Sequence, residues 1–394
     1  MDRPLLNRRL AEFGTTIFAE MSALAVRTNS LNLGQGFPDA DGPEEVREAA
    51  VRALRDGRGN QYPPGPGVPE LRTAVAAHQQ RFYGHLGVTC DPDTEVLVTA
   101  GATEAIAASL LALLEPGDEV IALEPYYDSY AACIAMAGGT RVPVTLRPDP
   151  ESGTYALDLD ELRDAVTDRT RLILLNTPHN PTGTVLSRDE LAEIARLACE
   201  RDLLVITDEV YEHLVFEGEH LPLASFPGMH GRTVTIGSAG KTFSFTGWKV
   251  GWVTAAPELI SAVRSAKQFL TYVSAGPFQY AVAEALALPD GYFTALRDDL
   301  RAKRDILARG LADAGFGVYR PAGTYFITTD IRPLGFDDGF AFCRALPERA
   351  GVVAIPNAVF YDHRDEGAPF VRFAFCKSTD VLQDAAARLK TLAG

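Results

Sequence analysis

Short apolar runs rich in β-branched residues recur along the chain, separated by longer stretches in which apolar residues return every three or four positions. The runs are EVLVTAG (95–101), EVIALEP (119–125), RVPVTL (141–146), RLILLNTP (171–178), LLVITDE (203–209), TVTIGSA (233–239) and KVGWVTAA (249–256). Their length and composition predict strands. Helical patterns lie between several of them, such as ATEAIAASLLALLE (102–115) and SRDELAEIARLACERD (187–202). In the second, Ser187 and Glu190 are spaced as a capping box. Strand alternating with helix predicts an α/β fold, a mostly parallel seven-stranded sheet covered on both faces. After a long helical pattern at 291–314 the texture changes to GVYRPAGTYFITTDI, GVVAIPNAVF and VRFAFC, separated by polar or helical pieces. That arrangement predicts a smaller α+β domain. The expected division is a large domain at 43–283, with an N-terminal arm (1–42) and the small domain (284–394) beside it.

Composition narrows what such a fold would bind. The 394 residues, 46% of them hydrophobic, suffice for two domains with at least one large core. A net charge of -15 argues against nucleic acid or an anionic membrane surface, because polyanion binding draws its affinity from Lys and Arg neutralising phosphates. Cys90, Cys133, Cys199, Cys343 and Cys376 are scattered, odd in number and form no CxxC pair, so free thiols in a reducing cytosol are expected, with neither disulfides nor a metal site. Neither a signal peptide nor a run of 18 apolar residues is visible. The expectation is a soluble cytoplasmic protein acting on a small molecule.

The stretch TIGSAGKTFSFTGWKVGW (235–252) offers the sharpest chemical signal. Its GSAGKT resembles a phosphate-wrapping loop, but the first glycine of that pattern would fall on Thr235. The chain beyond Lys241 is aromatic, β-branched and interrupted by glycine, which suits turn and strand better than the helix such a loop requires. LLVITDE, which could pass for the magnesium-holding strand, also precedes the lysine where the common order puts the loop first.

Ligands of a parallel α/β sheet sit at the carboxyl ends of its strands. That rule gathers Gly101, Ala102 and Thr103 at a helix start, Asn180 in NTPHNPTG, Asp208 with Tyr211, and Ser238 with Lys241 and Lys249. A lysine, an isolated acid, hydroxyl and amide donors and several phosphate donors together match a cofactor that bonds a lysine through its aldehyde.

These motifs resemble the class I/II, fold type I aminotransferases, which depend on pyridoxal 5'-phosphate. The resemblance runs through NLGQGFPD (32–39), NQYPPGPG (60–67), AGATEA, EPYYDSY, NTPHNPTG, TDEVYEH, SAGKTFSFTGWKVGW and VRFAFCK (371–377). Within the family the chain is similar to kynurenine, glutamine and methionine aminotransferases, and to actinobacterial enzymes assigned to N-succinyldiaminopimelate transamination. It implies that Lys241 bonds the cofactor and moves the substrate α-proton, that Asp208 pairs with the pyridine nitrogen, and that Tyr211 and Asn180 hold the ring oxygen. Tyr127 would stack on the ring. The phosphate would rest on Gly101, Ala102, Thr103, Ser238 and Lys249, with Tyr62 reaching over from the partner of a homodimer. Lys249 stands where many relatives carry arginine. Arg372 would clamp the α-carboxylate, while His179 and His213 receive no role.

The substrate side chain is expected near Phe18, Gly36, Tyr62 and the segment 271–279. In the kynurenine and glutamine relatives an aromatic residue and a histidine occupy the places of Ser274 and Ala275. The lost rings favour a longer polar substrate, with 2-oxoglutarate or glutamate as the other reactant. A cysteine-conjugate carbon-sulfur β-lyase uses the same lysine and cofactor and stays open as an alternative. So does a non-catalytic regulator of the same fold, for which no DNA-reading segment is visible.

Overall fold

The computed structural model describes residues 5–14, 16–149 and 152–393. Seven strands build the main sheet: β1 (Val96–Thr99), β2 (Glu119–Glu124), β3 (Thr140–Thr145), β4 (Thr170–Asn176), β5 (Leu204–Asp208), β6 (Thr233–Ser238) and β7 (Gly251–Thr254). Their spatial order is β1-β7-β6-β5-β4-β2-β3. Only β7 runs against its neighbours.

Successive strand residues point to opposite faces. Val120, Ala122, Leu172, Leu174 and Ile206 pack with helix Gly101–Leu113 on one side. Ile121, Leu123, Ile173, Leu175 and Val205 pack with helix Arg188–Glu200 on the other. Burial on both faces is why these strands read as apolar runs rather than alternating ones. The helix at Arg188 starts as its sequence implies: Ser187 Oγ accepts from the Glu190 N–H at 3.2 Å, and the Glu190 carboxylate accepts from the Ser187 N–H at 2.7 Å.

Strand β7 begins two residues later than its pattern suggests. Lys249 has φ 54°, a left-handed conformation that cannot continue a strand, and it comes directly after a 3-10 turn at Thr246–Trp248. Lys241, just beyond β6, occupies a single helical turn, Ala239–Thr242, whose Gly240 N–H donates to the Ser238 hydroxyl.

The second sheet is antiparallel, with β8 (Gly317–Tyr319), β9 (Phe326–Asp330), β10 (Ile355–Pro356) and β11 (Phe370–Ala374) in the order β8-β9-β11-β10. Its core takes Leu307 and Leu311 from the helix Asp290–Asp313 and Leu382 and Leu389 from the C-terminal helix. Ile17, Met21, Leu33, Val210 and Tyr211 join the same cluster, and Leu31–Asn32 pairs with Val352–Val353. The N-terminal segment and the stretch after β5 therefore meet the second sheet around one core. All five cysteines are free. Among the described residues, no helix is long and apolar enough to cross a membrane.

Candidate active site

Pairing register brings the carboxyl ends of four strands to one edge. Gly251 lies opposite both Thr99 and Ser238, and Asp208 opposite both Asn176 and Ile236. Above this edge opens a cavity of about 290 Å³, facing β9 and β11 of the second sheet. It is lined by Gly101, Ala102, Thr103, Tyr127, Asn180 and Asp208, and further by Tyr211, Ser238, Lys241, Lys249 and Arg372. Phe18 and Gly36 close it from the N-terminal segment. Tyr62, Ser274 and Ala275 are not among its lining residues in this single chain. Tyr62 is 81% exposed and packs edge-on against Tyr272, 5.5 Å away between ring centroids.

One end of the cavity suits an anion. The helix Gly101–Leu113 presents its unpaired N–H groups there. Gly101 has φ 74°, and a Cβ on it would come within 3.2 Å of Lys249 Nζ. A Cβ on Gly251 would strike the Gly101 backbone at 2.7 Å. Glycine at both positions lets the loop and the first residue of β7 close around the lysine ammonium.

Opposite lies Asp208, fully buried. Its Oδ2 accepts from the Tyr130 hydroxyl at 2.6 Å and its Oδ1 from the Val210 N–H at 3.3 Å. Burial pushes the carboxyl up to about 6, against the pull of these two donors. Asn176 braces the neighbouring turn: its Nδ2 donates to the Asp208 carbonyl at 2.7 Å, and its Oδ1 accepts from the Asn180 N–H at 2.7 Å. Lys241 Nζ lies 5.8 Å from the Tyr211 ring and 5.7 Å from the Tyr325 ring. Desolvation lowers its ammonium from the usual lysine value, only partly offset by Cys376 and Asp208.

Arg372, in the middle of β11, is 1% exposed. Its Nη1 donates to Asn180 Oδ1 and its Nη2 to the Gly34 carbonyl, both at 2.9 Å, while Nε is buried without a partner. The guanidinium lies 4.0 Å from the Phe326 ring centroid, with Phe360 at 5.1 Å and Phe18 at 5.3 Å. Burial pulls it down to about 10. A buried cation held only by neutral acceptors and aromatic faces calls for an anion.

The functional reading of the sequence missed Tyr130 and Asn176. Both stand in family motifs, Tyr130 as the last tyrosine of EPYYDSY and Asn176 as the first asparagine of NTPHNPTG. Their contacts with Asp208 and Asn180 arise from tertiary placement, so spacing gives only a weak hint. Tyr325 has no such signal, and its hydroxyl donates to the Gly36 carbonyl at 2.6 Å. His179 and His213 lie outside the cavity lining. His179 shares a hydrogen bond with Thr182 Oγ1 at 2.8 Å. Burial keeps both rings neutral, pulling His179 down to about 4 and His213 well below the usual histidine value.

The profile of the family described as aminotransferase class I and II matches residues 28–389. A probable N-succinyldiaminopimelate aminotransferase of Mycobacterium tuberculosis is 56% identical over 394 residues, covering 98% of each chain. The solved structure of that organism's N-succinyldiaminopimelate aminotransferase superposes with a TM-score of 0.95, at 56% identity, over 98% of this chain and all of the other. A methionine aminotransferase of Escherichia coli is 38% identical over 397 residues, covering 99% of this chain and 100% of its own.

Proposed function

The chain belongs to the class I and II aminotransferases, and from that premise we propose that its cavity holds pyridoxal phosphate and transfers the amino group of a long, polar amino acid to 2-oxoglutarate. The carrying observation is electrostatic. In a chain of net charge -15, the cavity lining contains three cations, Lys241, Lys249 and Arg372, against one carboxylate, Asp208. Such a lining favours ligands with two separate anionic groups, a cofactor phosphate and a substrate carboxylate.

The residues fit that cofactor chemically. The N–H groups of Ala102 and Thr103, at a helix start fixed by Gly101, the Ser238 hydroxyl and the Lys249 ammonium form a phosphate cradle. As a point charge, Lys249 supplies attraction without the two-pronged geometry of arginine. Asp208 is a buried carboxylate that gains by pairing with a protonated pyridine nitrogen. Tyr211 and Asn180 would donate to the ring oxygen; with Asn180 Oδ1 engaged by Arg372, its Nδ2 is the atom left to donate. Tyr127 covers the ring face.

When bound, the cofactor supplies an electron sink for the charge left by loss of the α-proton. Lys241 would hold the cofactor through its aldehyde and, once the incoming substrate amine had displaced it, its Nζ, with the ammonium destabilised by burial, would move the substrate α-proton. Arg372 orients the substrate by gripping its α-carboxylate, using the nitrogen that now has no partner. Phe18 and Gly36 border the substrate side chain.

The reading extends to a homodimer in which Tyr62 of the partner subunit completes the phosphate site and the segment 271–279 approaches the substrate. In support, Tyr62, Phe269 (84% exposed), Leu270 and Tyr272 leave an apolar area uncovered on the single chain. Similarity to the M. tuberculosis enzyme, and the small residues Ser274 and Ala275, favour a donor with a distal carboxylate or amide, N-succinyldiaminopimelate being one of that class.

The test is a donor panel with 2-oxoglutarate, reading glutamate formed. The succinylated diamino acid should exceed kynurenine, methionine and phenylalanine in kcat/KM. Fastest turnover of kynurenine would overturn the substrate reading and leave transamination intact. Pyruvate outpacing glutamate with a cysteine conjugate would identify a β-lyase instead.

A further inference from the structure

The segment that leaves β5 turns two residues toward the cavity, Asp208 and Tyr211, and sends the next two elsewhere. Glu212 and His213 meet His78, which comes from the helix Pro69–Tyr83. The Nε2 atoms of His78 and His213 are 2.8 Å apart. Glu212 Oε1 lies 3.8 Å from the first and 3.9 Å from the second. The point equidistant from these three atoms is about 2.1 Å from each, the length of a bond from zinc to imidazole nitrogen or carboxylate oxygen.

The charged groups that act on the cluster are Arg81, whose guanidinium lies 4.9 Å from the Phe82 ring and 5.6 Å from the Phe293 ring, and the His220–Glu209 pair. All three side chains are closely covered, His78 at 1% exposed and Glu212 and His213 at 7% each. The Glu212 carboxylate also meets the Tyr83 hydroxyl and, at 3.4 Å, the neutral Gln79 amide. Aromatic rings wall the cluster, with Phe82 4.7 Å from both imidazoles and Phe293 4.5 Å from His213, centroid to centroid. The remaining nitrogen of His78, Nδ1, is buried without a hydrogen-bond partner. Two ring nitrogens 2.8 Å apart are joined either by a proton carried on one of them or, with both lone pairs turned inward, by a metal ion.

We propose that His78 Nε2, His213 Nε2 and the Glu212 carboxylate bind one zinc ion, with a fourth position left for water. The ion ties the helix Pro69–Tyr83 to the turn carrying Asp208 and Tyr211, and so holds the cavity floor from behind. A set of two nitrogens and one oxygen suits zinc, whereas magnesium and calcium require oxygen ligands throughout. Because the donors come from positions 78, 212 and 213, no local motif announces them.

Chelator-dialysed holoenzyme should be equilibrated with zinc chloride, the bound metal counted by mass spectrometry and its neighbours identified by X-ray absorption. One zinc per chain is expected, coordinated by two imidazoles and no sulfur. Zinc should raise the thermal midpoint and magnesium should not. His78→Gln and Glu212→Gln should each weaken zinc binding about tenfold or more and abolish the midpoint rise. If His78→Gln does not fold, the nearly isosteric Glu212→Gln decides alone. Absence of bound zinc overturns the proposal. So does zinc held equally by the variants, a sulfur neighbour pointing to the exposed Cys199, or equal protection by magnesium.

Discussion

The two halves of the cavity are built by different means. On the side of the large sheet, Asp208, Ser238 and Lys241 lie at or just beyond strand ends, where the backbone turns and a side chain can be aimed without disturbing the core behind it. On the side of the small sheet, Arg372 stands in mid-strand, paired with Thr328 and Ile355, and its charge is buried in the core itself. The first half resembles a loop site on a rigid support. The second is a cation tolerated in a protein interior because Asn180, the Gly34 carbonyl and three aromatic rings surround it. The difference predicts that changes at the strand ends cost chemistry, and that changes at Arg372 cost binding and packing together.

The largest effect should come from Lys241→Ala, which in the proposed reading removes the covalent anchor and the proton carrier at once. Glutamate formation should drop by several orders of magnitude with little change in thermal stability. Borohydride treatment of the wild-type holoenzyme should fix the cofactor mass to Lys241 and to no other lysine on peptide mapping. Wild-type turnover in the alanine variant would break the comparison outright.

Next comes Asp208→Asn, expected to raise the barrier by ~3 kcal/mol or more, as for other lost charged partners at a reacting centre. Its effect on stability should have the opposite sign in cofactor-stripped protein. There the folded pKa of about 6 exceeds the ordinary 3.8, so ionisation opposes folding. That cost is absent below pH 3.8, grows as the pH rises toward 6 and is complete above it, where it amounts to about 3 kcal/mol. The asparagine variant should therefore gain stability over wild type between about pH 4 and 6 in urea unfolding, a gain that cofactor binding cancels. A pH-independent difference would show that Asp208 is not the group responsible.

Arg372→Lys sharpens the other half. A lysine cannot offer two parallel donors or stack flat on Phe326, so KM for the amino acid should rise and kcat/KM fall by ~2–3 kcal/mol, with a lowered thermal midpoint. Reduced kcat at unchanged KM would place Arg372 in the chemistry instead. The smallest effect is expected for Tyr130→Phe. It removes one hydrogen bond from Asp208, worth ~1.5 kcal/mol, and should raise the folded pKa of Asp208, extending to higher pH the range over which the Asp208→Asn stability gain grows, without altering KM.

The large sheet was legible because its strands are buried on both faces and announce themselves as apolar runs. The strand-end rule then gathered Gly101, Asn180, Asp208, Ser238 and Lys241, which do line one cavity. Errors fell where backbone conformation changes within a residue or two. Lys249 takes a left-handed conformation and delays β7, and the Lys241 turn closes into one helical turn on the Ser238 cap. Tyr130 and Asn176 have no separate pattern of their own, because a residue that braces a buried carboxylate or a turn is marked only by what packs against it.

The sequence by itself determined the alternation of strand and helix, the division between parallel and antiparallel texture, and which residue types stand after each strand, since these follow from local periodicity and turn chemistry. Tertiary structure alone decided that Arg372 has a nitrogen without a partner, that Tyr130 reaches Asp208, and that His78 meets Glu212 and His213 across more than 130 positions. The reason is that hydrogen bonding and desolvation depend on distances of a few ångströms between segments remote in the chain. Local sequence constrains each segment's shape, and only packing sets what it faces.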